Sequence, residues 1–141
     1  MQSNIQKPPP KRIYFDENIS LHYAKAFGNF GKVDKELKVL STTTVFGFGC
    51  DDPKFLPFLG ETGDSFLTKD TDFRKVQLWI PLIKQYRVGV FFFKTPKKMS
   101  RWIEIPILVK TWPKIREIVL SKRPPFLYQF NENCNPKELT L

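Results

Sequence analysis

The sequence predicts an α/β fold in which helices cover both faces of a mostly parallel central sheet. Short apolar runs rich in strand formers alternate with stretches of helical periodicity, which is typical of βαβ units. The run RVGVFFF (87–93) is almost continuously apolar, as expected for a central strand that is buried on both faces. With 141 residues, 41% of them hydrophobic, the chain is long enough for one core.

The first elements follow from apolar runs and their breakers. RIYF (12–15) is predicted to be a strand, and SLHYAKAF (20–27) a short helix with apolar residues three apart. Gly28 and Gly31 are expected to end that helix. The β-branched run KVLSTTTV (38–45) predicts a second strand.

The middle of the chain is predicted to contain two further helices with a strand between them. Asp52-Pro53 is expected to begin a helix that Pro57 keeps short or bent. SFLT (65–68) predicts a third strand, and helical spacing then begins at Phe73. Pro81 is expected to end or bend this helix.

The last third of the chain begins with the predicted central strand 87–93. An apolar stripe around Trp112 and Ile115 then predicts a helix that bends or restarts near Pro113, and Phe126 to Phe130 predicts the final strand. We expect a flexible Pro-rich arm at 1–10, a single domain at 11–130 and a polar tail at 131–141.

Composition excludes several classes of protein. No apolar run approaches the roughly 20 residues of a membrane span, and the N-terminus lacks the hydrophobic segment of a signal peptide, so we expect a cytoplasmic protein. Cys50 and Cys134 are expected to be free thiols. A single histidine, His22, argues against a zinc site and is expected to be a surface or packing residue.

Acidic and basic residues are segregated along the chain. Residues 16–72 contain ten acids against six Lys or Arg, whereas residues 94–123 contain nine Lys or Arg against two acids. A basic surface beside an acidic cluster suits a polyanion that binds next to a metal cation. The alternative is a solvated basic face that only keeps the protein soluble.

Carboxylates follow the predicted strands at three turns. Ligands of parallel α/β sheets bind outside the carboxyl ends of the strands, so these acids are expected to converge on one edge. Clustered oxygen ligands without His or Cys suit Mg²⁺ or Mn²⁺. Each acid, taken singly, could instead cap a helix or stabilise a turn. The six acids are Asp16, Glu17, Asp51, Asp52, Asp70 and Asp72.

FDEN (15–18), LTKDTDF (67–73) and the strand that begins at Gly89-Val90 carry a resemblance to a known family. In this order and spacing they resemble the PIN-like nucleases, in particular the VapC-related toxins of bacterial toxin–antitoxin pairs. The resemblance runs from Lys11 to Phe93, and WPKIREIVLSKRPPF (112–126) fits the family's closing helix and strand more loosely.

The resemblance implies a three-layer PIN-like fold and Mg²⁺- or Mn²⁺-dependent cleavage of RNA by an endoribonuclease. It assigns catalysis and metal binding to four acids, with Glu17 and Asp51 as neighbours that could serve instead, and it gives Thr68 a positioning role. The four acids are Asp16, Asp52, Asp70 and Asp72.

RNA, a cognate antitoxin that covers the acidic edge, and a second copy of the chain are the expected partners. Trp79 and Trp112 are expected in the core, which leaves Trp102 as the candidate for base stacking. A non-catalytic, basic α/β protein that binds nucleic acid or another partner is the alternative function. The predicted RNA-binding residues are Lys69, Arg74, Lys94, Lys97, Lys98 and Arg101.

Overall fold

A mostly parallel sheet forms the middle layer of the protein. The computed structural model describes residues 9–16, 19, 21–42, 45, 55–70, 73–96 and 98–141. For residues 21, 70 and 73–75 it describes the backbone only. In chain order its elements are β1 Lys11–Phe15, α1 Leu21–Phe30, the short 3-10 helix Gly31–Val33, β2 Leu37–Ser41, α2 Leu56–Thr62, β3 Ser65–Asp70, α3 Phe73–Tyr86, β4 Gly89–Lys94, α4 Arg101–Ser121, β5 Phe126–Phe130 and β6 Lys137–Glu138.

The spatial order of the strands is β2, β1, β3, β4, β5 and β6. All neighbouring pairs among the first five strands are parallel, and β6 joins β5 antiparallel. The predicted α/β class and mostly parallel sheet are therefore confirmed.

Helices cover the two faces of the sheet in pairs, which gives three layers. On one face α1 and α4 pack on inward-facing residues such as Phe15, Phe91 and Phe93. On the other face α2 and α3 pack on residues such as Tyr14 and Phe66. Successive strand residues project to opposite faces, so strands buried on both sides must be apolar throughout.

The strand β4 shows this rule most clearly. It lies between β3 and β5, and its first five residues, GVFFF, are all buried. The predicted central strand is confirmed, although it begins at Gly89 rather than at Arg87.

Two expectations about α1 and β2 were wrong. The helix α1 continues through Gly28, but it ends at Phe30, directly before Gly31, which is the second of the two predicted stops. A Cβ at Gly28 would lie 3.4 Å from the carbonyl oxygen of Val39, which is an ordinary van der Waals contact, so Gly28 lies in a normal helical position packed on β2 and does not end the helix. The strand β2 ends at Ser41 rather than Val45, and Thr42 already has helical backbone.

The helix α2 begins later than the sequence predicted. Its N-cap is Phe55, and the expected cap Asp52, with Pro53, lies outside the described residues. The helix is short, as expected, with seven residues. Pro57 lies in its first turn, where a missing N–H leaves no helical hydrogen bond unmade, so the proline is compatible with the start of the helix.

Proline does not divide the two long helices. Pro81 lies inside α3, and Pro106 and Pro113 lie inside α4, which runs unbroken from Arg101 to Ser121. The expected restart near Pro113 was wrong. An interior proline costs a helix about 3 kcal/mol, but α4 buries side chains along its length, including Leu108 and Ile115, against the sheet.

The segment after β5 belongs to the fold. Lys137–Glu138 adds a strand to the sheet, Cys134 is buried in the core, and Leu139 and Leu141 pack against the α2/α3 side. The polar tail predicted from composition is therefore tied to the sheet by backbone pairing. No described helix is long and apolar enough to cross a membrane.

Gly60 allows α2 to pack closely on α3. A Cβ at this position would lie 1.9 Å from the carbonyl oxygen of Tyr86. We expect Gly60→Ala to destabilise the protein by about 1–3 kcal/mol, because a backbone would have to move. Gly31→Ala, where the nearest atom to the new Cβ is 3.8 Å away, is the matched control. Equal midpoints for the two variants in urea denaturation would contradict this packing.

Candidate functional site

The strand order creates a crevice between β1 and β3. From β1 the chain passes to β2 on one side and then returns across β1 to β3 on the other. The helix α1, after β1, packs on one face of the sheet, and α3, after β3, packs on the opposite face. Open α/β sheets bind their ligands at such a switch point, outside the carboxyl ends of the strands.

Asp16 lies at this crevice, directly after β1. Its backbone N–H donates to the carbonyl oxygen of Leu67 at 2.9 Å, and its carbonyl oxygen accepts from the N–H of Ile19 at 2.9 Å. Phe15 pairs with Leu67 in the sheet, which brings Asp16 level with Thr68. The residue is only 4% exposed, so its side chain is held at the edge by the pairing of two strands.

The Asp16 carboxylate accepts a hydrogen bond from Thr68. The Thr68 hydroxyl donates to Oδ2 of Asp16 at 2.8 Å, and both residues are buried. A buried carboxylate needs such donors, because transferring its charge out of water is costly. The hydrogen bond fixes the orientation of the carboxylate, which suits the positioning role that the resemblance implied for Thr68.

Asp70 is the last residue of β3, two positions beyond Thr68. Its backbone pairs with Lys94 at the end of β4. With a rise of about 3.3 Å per residue and a strand spacing of about 4.8 Å, its Cα lies about 8 Å from that of Asp16. The two backbone positions therefore fall within the dimensions of one binding site. The predicted strand ended at Thr68, so Asp70 is part of β3 rather than of the turn after it.

The other predicted ligands lie outside the part of the chain that the structure describes. Among the described residues, no group of three His, Cys, Asp or Glu side chains is placed to hold a metal ion. The residues outside that part are Glu17, Asp51, Asp52 and Asp72, together with the side chain of Asp70.

The donor chemistry at the crevice fits a hard divalent cation. Asp16 offers carboxylate oxygens and Thr68 a hydroxyl, whereas His22 is exposed on α1 and Cys134 is buried in the core after β5. Mg²⁺ and Mn²⁺ prefer oxygen ligands of this kind.

Sequence reasoning missed a second buried carboxylate near this edge, that of Glu104. It lies in the first turn of α4, is 3% exposed, and accepts a hydrogen bond from the ammonium group of Lys69 at 2.6 Å. The Tyr23 hydroxyl lies 3.5 Å from its other oxygen, and burial together with the charge of Glu104 raises the pKa of Tyr23. The position of Glu104 within the apolar run WIEIPIL (102–108) was the sequence signal that could have indicated its burial.

The predicted RNA-binding residues divide into three groups. Lys94, the last residue of β4, is exposed, and so are Lys98 and Arg101, which follow the strand. Lys69 is held in the ion pair with Glu104. Lys97 and the side chain of Arg74 lie outside the described residues.

The three tryptophans divide as the sequence predicted. Trp79 stacks on Phe66 with ring centroids 5.6 Å apart, and Trp112 packs edge-on against Phe15 at 5.9 Å. Trp102, at the start of α4, is 84% exposed.

A comparison with known protein families matches residues 11–95 to the PIN like domain family, which is more than half of the chain. The chain therefore belongs to the PIN-like domain family. PIN domains are generally nucleases and typically use divalent metal ions. No curated protein and no solved structure matches this chain. The match ends one residue beyond β4, so α4 and Glu104 lie outside it.

The contribution of the hydrogen bond from Thr68 to Asp16 can be tested by measuring the free energy of unfolding. We expect Thr68→Val to lose about 1.5–3 kcal/mol of unfolding free energy at neutral pH, because the buried carboxylate of Asp16 loses a donor. Thr68→Ser keeps the hydroxyl and is expected to retain most of that stability. Urea denaturation measures both, and a valine variant as stable as the serine variant would show that the hydrogen bond contributes nothing.

Proposed function

We propose that this protein is a metal-dependent endoribonuclease whose active site lies at the carboxyl edge of β1 and β3. The observation that supports this most is the buried carboxylate of Asp16, oriented by Thr68 at the switch point of a PIN-like sheet. Asp70 ends the adjacent strand.

In this proposal four acids hold Mg²⁺ or Mn²⁺. Asp16 would supply one ligand. Because the β1–β3 pairing holds its backbone, the cost of assembling such a site would be lower. Glu17 and Asp51 are the neighbours that could replace a ligand. A bound divalent cation would make a water molecule a better nucleophile and stabilise negative charge on the phosphate. The four acids are Asp16, Asp52, Asp70 and Asp72.

RNA would approach over the exposed cations that follow β4. Lys94 is adjacent to Asp70 in the sheet, and Lys98 and Arg101 continue toward α4. Contacts of this kind neutralise phosphates and carry little sequence information, so affinity is expected to fall with salt. Lys97 and Arg74 are proposed to extend this surface. Lys69 would contribute to it only at the expense of its pairing with Glu104.

Replacing a metal ligand should abolish cleavage without unfolding the protein. We expect Asp16→Asn and Asp70→Asn each to lower the Mn²⁺-dependent rate of RNA cleavage by about 100-fold or more, because each variant loses a charged oxygen ligand. The measurement is the cleavage rate of a labelled RNA with Mn²⁺ and with a chelator.

Asp34→Asn is the matched control for this assay. Asp34 is also a partly buried, hydrogen-bonded acid, and a hydrogen bond from Arg116 is the main cause of its lowered pKa, but it precedes β2 at the opposite end of that strand from the proposed site. The control should cleave RNA at the wild-type rate. Equal cleavage by the wild-type protein and both site variants would refute the site, and no cleavage at all would favour the non-catalytic alternative.

We also propose that the nuclease is the toxin of a toxin–antitoxin pair and acts in the cytoplasm. A groove of about 420 Å³ between α1 and α4 supports a protein partner: its lining is mostly apolar, with Asp34 as its one acid, and Phe30, which lines it, is 77% exposed. A neighbouring pocket shares Gly31, Asp34 and Val39 with the groove. Its lining contains three lysines, Lys32, Lys35 and Lys38, against the one acid Asp34, and this excess of positive charge favours an acidic antitoxin segment. Association of two copies of the chain is also proposed.

Toxicity gives a cellular test of the toxin proposal. Induced expression of the wild-type chain in a bacterial host is expected to arrest growth, because cellular RNA would be cut. The Asp16→Asn variant at the same protein level should allow growth, since it keeps the fold but lacks a ligand. Normal growth with soluble, RNA-cleaving wild-type protein would refute the toxin assignment while leaving the nuclease assignment intact.

A further inference from the structure

Glu104 is a buried charge that the proposed reaction does not use. It comes from α4, beyond the part of the chain that matches the PIN-like family. Its carboxylate is paired with the ammonium group of Lys69 at 2.6 Å, and Tyr23 approaches it to 3.5 Å. A buried ion pair contributes little net stability compared with apolar residues of the same size, so stability alone does not account for it.

The two partners of Glu104 lie on β3, at the proposed site, and on α1, the helix that follows Asp16 in the chain. Lys69 lies between Thr68, which orients Asp16, and Asp70 at the end of β3. Tyr23 lies in the first turn of α1, the helix that follows Asp16. One carboxylate therefore contacts β3 and α1 from α4.

The Lys69–Glu104 contact and the Thr68–Asp16 hydrogen bond hold β3 from opposite faces of the strand. Successive residues of a strand project to opposite faces. Thr68 reaches Asp16 from one face of β3, and Lys69 reaches Glu104 from the other. The last residues of β3 are thus held from both faces immediately before Asp70.

We propose that Glu104 is a positioning residue of the nuclease site: through Lys69 and Tyr23 it fixes the end of β3 and the start of α1, and so the separation of Asp70 from Asp16. The inference rests on the proposed nuclease function. Groups that act on a phosphate must be held closely, and a displacement of about 1 Å can cost about 100-fold in rate.

The test separates positioning from stability with one single and one double variant. Glu104→Gln leaves the Lys69 charge without its counter-charge and is expected to lower the melting temperature. The double variant Glu104→Leu with Lys69→Met removes both charges and is expected to recover that temperature. In both variants we expect kcat for RNA cleavage at saturating Mn²⁺ to fall about 10- to 100-fold.

KM and its salt dependence distinguish positioning by Glu104 from direct RNA binding by Lys69. If Lys69 bound RNA directly, the double variant would raise KM and flatten its dependence on salt while kcat stayed unchanged. Positioning predicts the reverse, a fall in kcat with little change in KM. A double variant with wild-type kcat overturns the inference, whatever its KM.

Arg116→Met is the matched control. It breaks a different ion pair of α4, in which the Arg116 guanidinium lies 2.7 Å from Asp34, on the side of the molecule away from the β3 end. It is expected to lower the melting temperature and leave kcat unchanged. Loss of kcat in this control as well would also overturn the inference. A wild-type protein that shows no metal-dependent cleavage would instead refute the proposed function, and this inference with it.

Discussion

The parallel pairing of β1 with β3 is the constraint on which the candidate site depends. It sets Asp16 level with Thr68, two residues before β3 ends at Asp70. Because the following helices leave on opposite faces, the sheet opens into a crevice at this pair of strands. A shift of one residue in this register would turn Thr68 away from Asp16, since side chains alternate between faces.

Burial of aromatic side chains on both faces maintains that register. Among the described residues, eight buried phenylalanines contribute to two cores, with Phe91 and Phe93 facing α4 and Phe66 and Phe92 facing α3. Slipping a strand would move these rings to the wrong layer. The candidate edge is thus specified by packing far from it, and Lys94, Lys98 and Arg101 are exposed at the same end of β4.

The sequence predicted the strands better than the helices. Strand identity follows from local runs such as FLYQF, which forms β5 as predicted. Helix ends depended on contacts that a sequence does not display. Gly28 and Pro113 are helix breakers by propensity, yet each lies within a helix whose packing on the sheet outweighs the local cost. The sequence predicts no role for Glu104 and predicts that Lys69 binds RNA, because only the packing of α4 brings the two side chains together.

Binding of a divalent cation to the Asp16 edge is the central claim, and calorimetric titration of the purified protein with Mn²⁺ measures it without any assumption about substrate. The account predicts saturable binding by the wild-type protein that is lost in Asp16→Asn and retained in Asp34→Asn. Identical binding curves for the wild-type protein and Asp16→Asn would show that the metal, if it binds, does so elsewhere, and would contradict the account.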